Sequence, residues 1–136
     1  MEHVEESLPR ELLRRASIRG HEYAWRVSDI PEVIEATKRA GRISVGGQLQ
    51  FRFPNNVTCE CYWVEVDTFK SVAADLARKE LVIQSANAAL SAFEDLKSRF
   101  DFVAEGRSSF RTVFEEFEST GEEPEDAMWF VWYVGD

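Results

Sequence analysis

The chain is sparing with the residues that punctuate, staple or metallate a fold: 7 Gly, 4 Pro, 2 Cys and 2 His among 136 residues. The cysteines, Cys59 and Cys61, stand in a C-x-C spacing, and residues 1–10 lack a basic region followed by an apolar one. Without an export signal, that usage fits a reducing cytoplasm rather than a disulfide scaffold. A zinc site needs about four ligands, and His3 and His21 fall at no finger-like spacing from the cysteines. No apolar run approaches the ~18 residues of a membrane span. Basic residues are also short, 16 Lys/Arg against 25 Asp/Glu, for a net charge of −9. Nucleic-acid binding needs a basic stripe, so no nucleic-acid partner is expected.

Catalytic motifs are missing too. Gly46-Gly47 has no G-x-G-x-x-G or G-x-x-x-x-G-K around it, and the acidic segments lack the calcium-loop spacing. His21 and Glu22 are adjacent, and on a strand neighbouring side chains point to opposite faces. Glu60 and Glu65 are likewise separated by an odd step, so they make no carboxylate pair of the glycosidase kind. No catalytic residue, metal or cofactor is therefore expected.

What remains is 44% apolar, 12% aromatic and 30% charged, enough apolar surface for one packed domain. The expected class is α+β: residues 1–136 as a single domain, an antiparallel sheet of three to four strands, and helices mainly on one face. Charge is skewed along the chain. Residues 101–136 carry 10 Asp/Glu and 2 Lys/Arg, nearly all of the net charge.

Periodicity places the elements. Leu8, Leu12 and Ala16 predict a helix from about Leu8 to Arg19, stopped by Gly20. Glu22 to Val27 alternates and predicts an edge strand. Asp29 and Glu32 form a capping-box pattern with Pro31 in the first turn, and the helix ends at Gly41. From Ile43 to Phe53 the period drops to two, predicting a strand with a bulge or sharp twist at Gly46-Gly47. Thr58 to Asp67 is the returning strand. After Lys70 the pattern is helical, with Ile83, Ala86, Leu90, Phe93 and Phe100 as the core stripe. A further helix, about Ser109 to Ser119, sets Phe110, Val113, Phe114 and Phe117 against Glu115, Glu116 and Glu118. Seven apolar residues, Met128 to Val134, predict a final strand covered on both faces.

A four-residue loop, Pro54 to Val57, would pair Phe53 with Thr58. One face then groups Val45, Leu49, Phe51 and Phe53 with Tyr62, Val64 and Val66. The other groups Gln48, Gln50 and Arg52 with Cys59, Cys61, Trp63 and Glu65. A three-residue loop slips the strand by one and sends both cysteines to the core. The four-residue loop groups the apolar residues better and is the expected register.

Two surfaces could carry function. The first is the acidic set Glu115, Glu116, Glu118, Glu122, Glu123 and Glu125, joined by Asp126. Such a face is either ordinary solvation or an electrostatic trap for a basic partner. The second is the mixed sheet face: Trp25, Gln48, Gln50, Arg52, Trp63, Glu65, Trp129, Trp132 and Tyr133 could line an aromatic small-molecule pocket, or simply pack. An exposed last strand would also suit a homodimer.

The run Tyr23-Ala24-Trp25, the helix bearing Asp29, Ile30, Val33 and Ile34, then Gly41 and Ile43-Ser44-Val45-Gly46-Gly47 resembles one family of bacterial polymorphic-toxin immunity proteins. That family continues with an acidic and an apolar residue, where Gln48 and Leu49 stand here. The chain also resembles small bacterial proteins carried on integron gene cassettes. The first resemblance implies a non-catalytic cytoplasmic protein that blocks a toxin by tight binding, its acidic segment complementing a basic toxin surface. A small-molecule-binding or minor catalytic domain is the alternative.

Overall fold

The computed structural model describes residues 4–73 and 75–136, so His3 lies outside the described residues. In chain order the elements are α1 (Arg10–Arg15), β1 (Ser17–Arg19), β2 (Glu22–Trp25), α2 (Ile30–Arg39), β3 (Ile43–Arg52), β4 (Thr58–Asp67), α3 (Arg78–Arg99), α4 (Phe102–Ser109), α5 (Arg111–Glu118) and β5 (Met128–Gly135). The strands form one antiparallel sheet in the order β1-β2-β5-β3-β4. This is the expected α+β arrangement with five strands instead of three or four. The last strand sits at the centre, hydrogen-bonded to β2 and β3, so its backbone offers no free edge to a second copy.

The helices cover one face of the sheet. Trp25, Leu49, Phe51, Phe130 and Trp132 are fully buried there. Phe93 of α3 packs edge-on against Phe130 at 5.1 Å, and Phe114 of α5 against Phe51 at 4.9 Å, geometries that suit the ring quadrupoles. The Trp25 indole N–H donates to the Leu12 carbonyl at 2.8 Å, which ties α1 to the same layer.

Several local expectations are overturned. The first helix stops at Arg15, because Ala16 is extended and residues 17–19 pair with β2. Residues 22–25 consequently form an inner strand, not an edge. Asp29 makes no side-chain cap, and its backbone is helical. Its carboxylate and that of Glu32 instead hold Arg15 at 2.8 and 2.7 Å, clamping α1 to α2. On α3 the buried positions are Val82, Ser85, Ala86, Ala89, Phe93 and Leu96, while Ile83 and Leu90 are exposed. Small residues face inward because the helix runs close to the sheet: the Ser44 backbone N–H donates to Ser85 Oγ at 3.0 Å. The helix α4, capped by Asp101 through the Ala104 N–H, lies where no element was expected.

The β3–β4 register is the main correction. Arg52 pairs with Thr58, Phe51 with Cys59 and Leu49 with Cys61, and the Phe53 N–H donates to the Val57 carbonyl at 2.8 Å. The loop is the shorter one, made possible by Asn55 and Asn56, both at φ 62°, a region asparagine tolerates better than most residues. Cys59 and Cys61 therefore lie in the core, and burial pushes the Cys61 thiol up to about 12. The pairing then jumps to Gln48 with Glu65. A bulge across Tyr62–Val64 flips the alternation, so Val64 and Val66 also turn inward while Tyr62 and Trp63 are exposed. A bulge of this kind re-aims side chains without ending the strand.

Candidate functional site

On the face away from the helices the pairing lines up Ser17, Arg19, Glu22 and Ala24 with Trp129, Val131 and Tyr133, then Gln48, Gln50 and Arg52, then Thr58 and Glu60. The sheet curls so strongly that its two edge strands meet: Arg19 of β1 donates to Thr58 Oγ1 of β4 at 2.7 Å and to the carbonyls of Phe53 and Val57 at 2.6 and 3.0 Å. Curling encloses polar groups. Gln50 is 1% exposed and Arg52 5%, and buried polar groups must find partners. Arg52 donates to Gln50 Oε1 (2.5 Å), to the carbonyl and hydroxyl of Ser17 (2.7 and 3.0 Å) and to the Glu22 carbonyl (3.3 Å). Gln50 passes its amide hydrogens to Glu60 at 2.7 Å and Glu22 at 3.4 Å. Tyr133 donates to Glu22 and accepts from Gln48 at 3.0 Å.

Burial lowers the Arg52 pKa, as does Arg19, while Glu22, Glu60 and Tyr133 work against the shift. The Tyr133 hydroxyl is pushed up to about 12, first by burial and then by its bond to Glu22. A raised folded pKa contributes stability that is present below the unfolded value near 10 and lost as pH climbs through the folded one. Native protein should therefore exceed Tyr133→Phe in stability at pH 7–9, with the gap closing as pH rises from about 10 toward 12. Urea unfolding of both across that range checks it; a gap independent of pH would refute the Tyr133–Glu22 bond.

At one end of the curl, α5 and the β3–β4 hairpin enclose an open groove of about 670 Å³ lined by Phe53, Pro54, Val57, Val113 and Phe117, with Arg19 and Arg52, and rimmed by Glu116, Thr120, Glu122 and Asp126. The amphipathic pattern of α5 builds it. Phe114 points into the core, and Val113 and Phe117, half-buried, flank it toward the hairpin. Phe53 and Phe117 meet edge-on at 5.2 Å.

The acidic residues share this end of the molecule. Glu115, Glu116, Glu122, Glu123 and Glu125 are exposed. Among the described residues, none of their carboxylates has a cationic nitrogen within 4 Å, and neither has that of Asp126; Arg26 reaches only the backbone carbonyls of Glu125 and Asp126, at 3.2 and 3.0 Å. Glu118 differs: its carboxylate is held at 2.9 Å by Arg107 of α4, so it is neutralised locally.

The aromatic set is dispersed. Trp25 and Trp132 are in the core on the helix side. Trp63 sits at the β4 bulge with its indole N–H on Glu105 of α4 at 2.8 Å, and the Arg26 guanidinium lies over Trp129 at 3.8 Å. Glu65 pairs with Lys70 at 3.2 Å. Of that set, Gln48, Gln50, Arg52 and Tyr133 come together, as the network just described. Among the described residues no three His, Cys, Asp or Glu side chains are placed to hold a metal ion, and no helix is long and apolar enough to cross a membrane. Sequence reasoning missed the groove residues Arg19, Phe53, Val57, Val113 and Phe117; an apolar Val57 inside a turn was the available signal. No family model matches the chain, and neither a curated protein nor a solved structure matches it.

Proposed function

We propose that this is a non-catalytic binding protein that captures a basic protein partner through the acidic surface of α5 and the loop following it, in the manner of a toxin-immunity protein. The observation that carries the reading is the set of carboxylates without ion pairs, Glu116, Glu122 and Asp126, around an apolar groove. Charges left unpaired on a folded surface keep their field for a partner, and an adjacent apolar floor supplies the desolvated contact on which affinity depends. The resemblance of Tyr23–Gly47 to immunity proteins points the same way. The partner class is a protein with a basic face, such as a nuclease shaped to hold phosphate.

The test is surface plasmon resonance against the product of the neighbouring gene, from about 0.1 to 1 M salt, over which the screening length falls from about 10 to about 3 Å. The association rate should drop by at least ~10-fold. A variant with Glu115, Glu116, Glu122, Glu123 and Glu125 all changed to Gln should show the slow rate already at low salt, with an unchanged melting temperature. Binding insensitive to salt would overturn the proposal.

A further inference from the structure

We infer that the groove between α5 and the β3–β4 hairpin is the anchor pocket of this surface, and that its occupant is an arginine side chain of the basic partner. The inference rests on the binding reading above and narrows it to one pocket and one residue type. Phe53, Val57, Val113 and Phe117 form an apolar floor, and Glu116, Glu122 and Asp126 stand at the rim. A long aliphatic stem ending in a cation fits both, since such side chains bury the stem and keep the head at the polar edge.

The two groove arginines set the direction. Arg19 and Arg52 are held by backbone carbonyls, hydroxyls and Gln50, and neither has a carboxylate within 4 Å among the described residues. They repel a cationic head from the hairpin side and leave it on the carboxylate rim. An anionic ligand fits less well. Three carboxylates oppose it, and the Arg52 fork is already committed to Ser17, Glu22 and Gln50. A purely apolar ligand would desolvate the rim without compensation. Guanidinium is favoured over ammonium because it pairs with carboxylates through a planar fork and lies well on aromatic rings such as Phe117. Arginine is also among the residues that dominate interface energetics from such pockets.

Two fluorescein-labelled probes of equal charge test this: a capped peptide of alternating lysine and serine, and its twin with the central lysine replaced by arginine. The arginine probe should bind ~5-fold tighter. Thr120→Trp and, from the opposite wall, Val57→Trp fill the groove from exposed positions and remove no charge; each should bring both probes to one weaker affinity. Glu115→Gln with Glu123→Gln, outside the groove, should weaken both probes and keep their ratio. Equal affinities in the native protein, or a ratio surviving both groove fillings while lysine-probe binding stays salt-dependent, would overturn the pocket and leave charge capture standing. Failure of both probes to bind would overturn the pocket and the charge capture together.

Discussion

Gly47→Ala should cost more than ~3 kcal/mol of the ~5–15 kcal/mol typical of a domain. A Cβ at Gly47 would lie 1.7 Å from the Val131 carbonyl oxygen, 2.8 Å from its carbon and 3.2 Å from the Trp132 Cα. All three are backbone atoms of β5, so no rotamer change relieves the clash. Relief means parting β3 from the central strand, which lies between β2 and β3. Gly46→Ala is equally severe: its Cβ would stand 2.0 Å from the Val66 oxygen of β4, and its φ of 141° disfavours a side chain. Gly121→Ala is the control. At φ 89° with nothing within 4 Å, it should lose only about 1 kcal/mol. Thermal melts should place Gly47→Ala more than ~10 °C below native, at a few degrees per kcal/mol for this size. A Gly47→Ala melting point near that of Gly121→Ala would contradict the close passage of β3 and β5.

This close passage explains why some of the fold is legible in the sequence and some is not. Alternation at Ile43–Arg52 and the apolar run at Met128–Val134 reveal strands because half or all of their side chains are buried whatever their partners. Gly46-Gly47 betrays the tight crossing for the same local reason. Register is different. It depends on Asn55 and Asn56 both accepting left-handed backbone and on the bulge across Tyr62–Val64, which lets Cys59, Cys61, Val64 and Val66 all face inward. No single straight register buries that set. The strand β1 has three residues, too few for a period, and is specified by tertiary partners such as Arg52 on Ser17. On α3 the apolar stripe places Phe93 correctly, but Ile83 and Leu90 mislead because close approach favours Ser85, Ala86 and Ala89 inside. The acidic surface was readable, since its members lie within one segment, but the neutralisation of Glu118 by Arg107 was not. The groove escaped because Val57 and Val113, far apart in the chain, come to line one space only after folding.

Curling also makes Arg52 the most consequential polar side chain. Arg52→Met keeps the aliphatic stem but strips every donor, leaving buried Gln50 Oε1 and the part-buried Ser17 and Glu22 carbonyls facing a thioether. Glu22 and Glu60 lose their nearby cation at the same time. Removing one member of a buried charged network costs ~3–5 kcal/mol, because the groups left behind stay desolvated. Arg52→Lys should recover little, since one ammonium cannot span acceptors on β1, β2 and β3 as a planar fork does. Arg19→Met is the contrast. Two of its three acceptors on the hairpin lie at exposed Val57 and Thr58, where water replaces the lost donors, and only the part-buried Phe53 carbonyl is left short, so the cost should stay below ~2 kcal/mol. Urea unfolding ranks the three variants, and hydrogen exchange locates the damage. In Arg52→Met the amides of Ser17–Arg19 and Glu22–Trp25 should exchange faster than those of β3 and β5, because the β1–β2 hairpin keeps its short pairing with β5 and the Arg19 contacts but loses its side-chain bonds to β3, while β3 and β5 keep their long ladder. Uniform acceleration in all five strands, or a cost no larger than that of Arg19→Met, would mean that Arg52 does not hold the curl closed, and the groove beside it would need another source of shape.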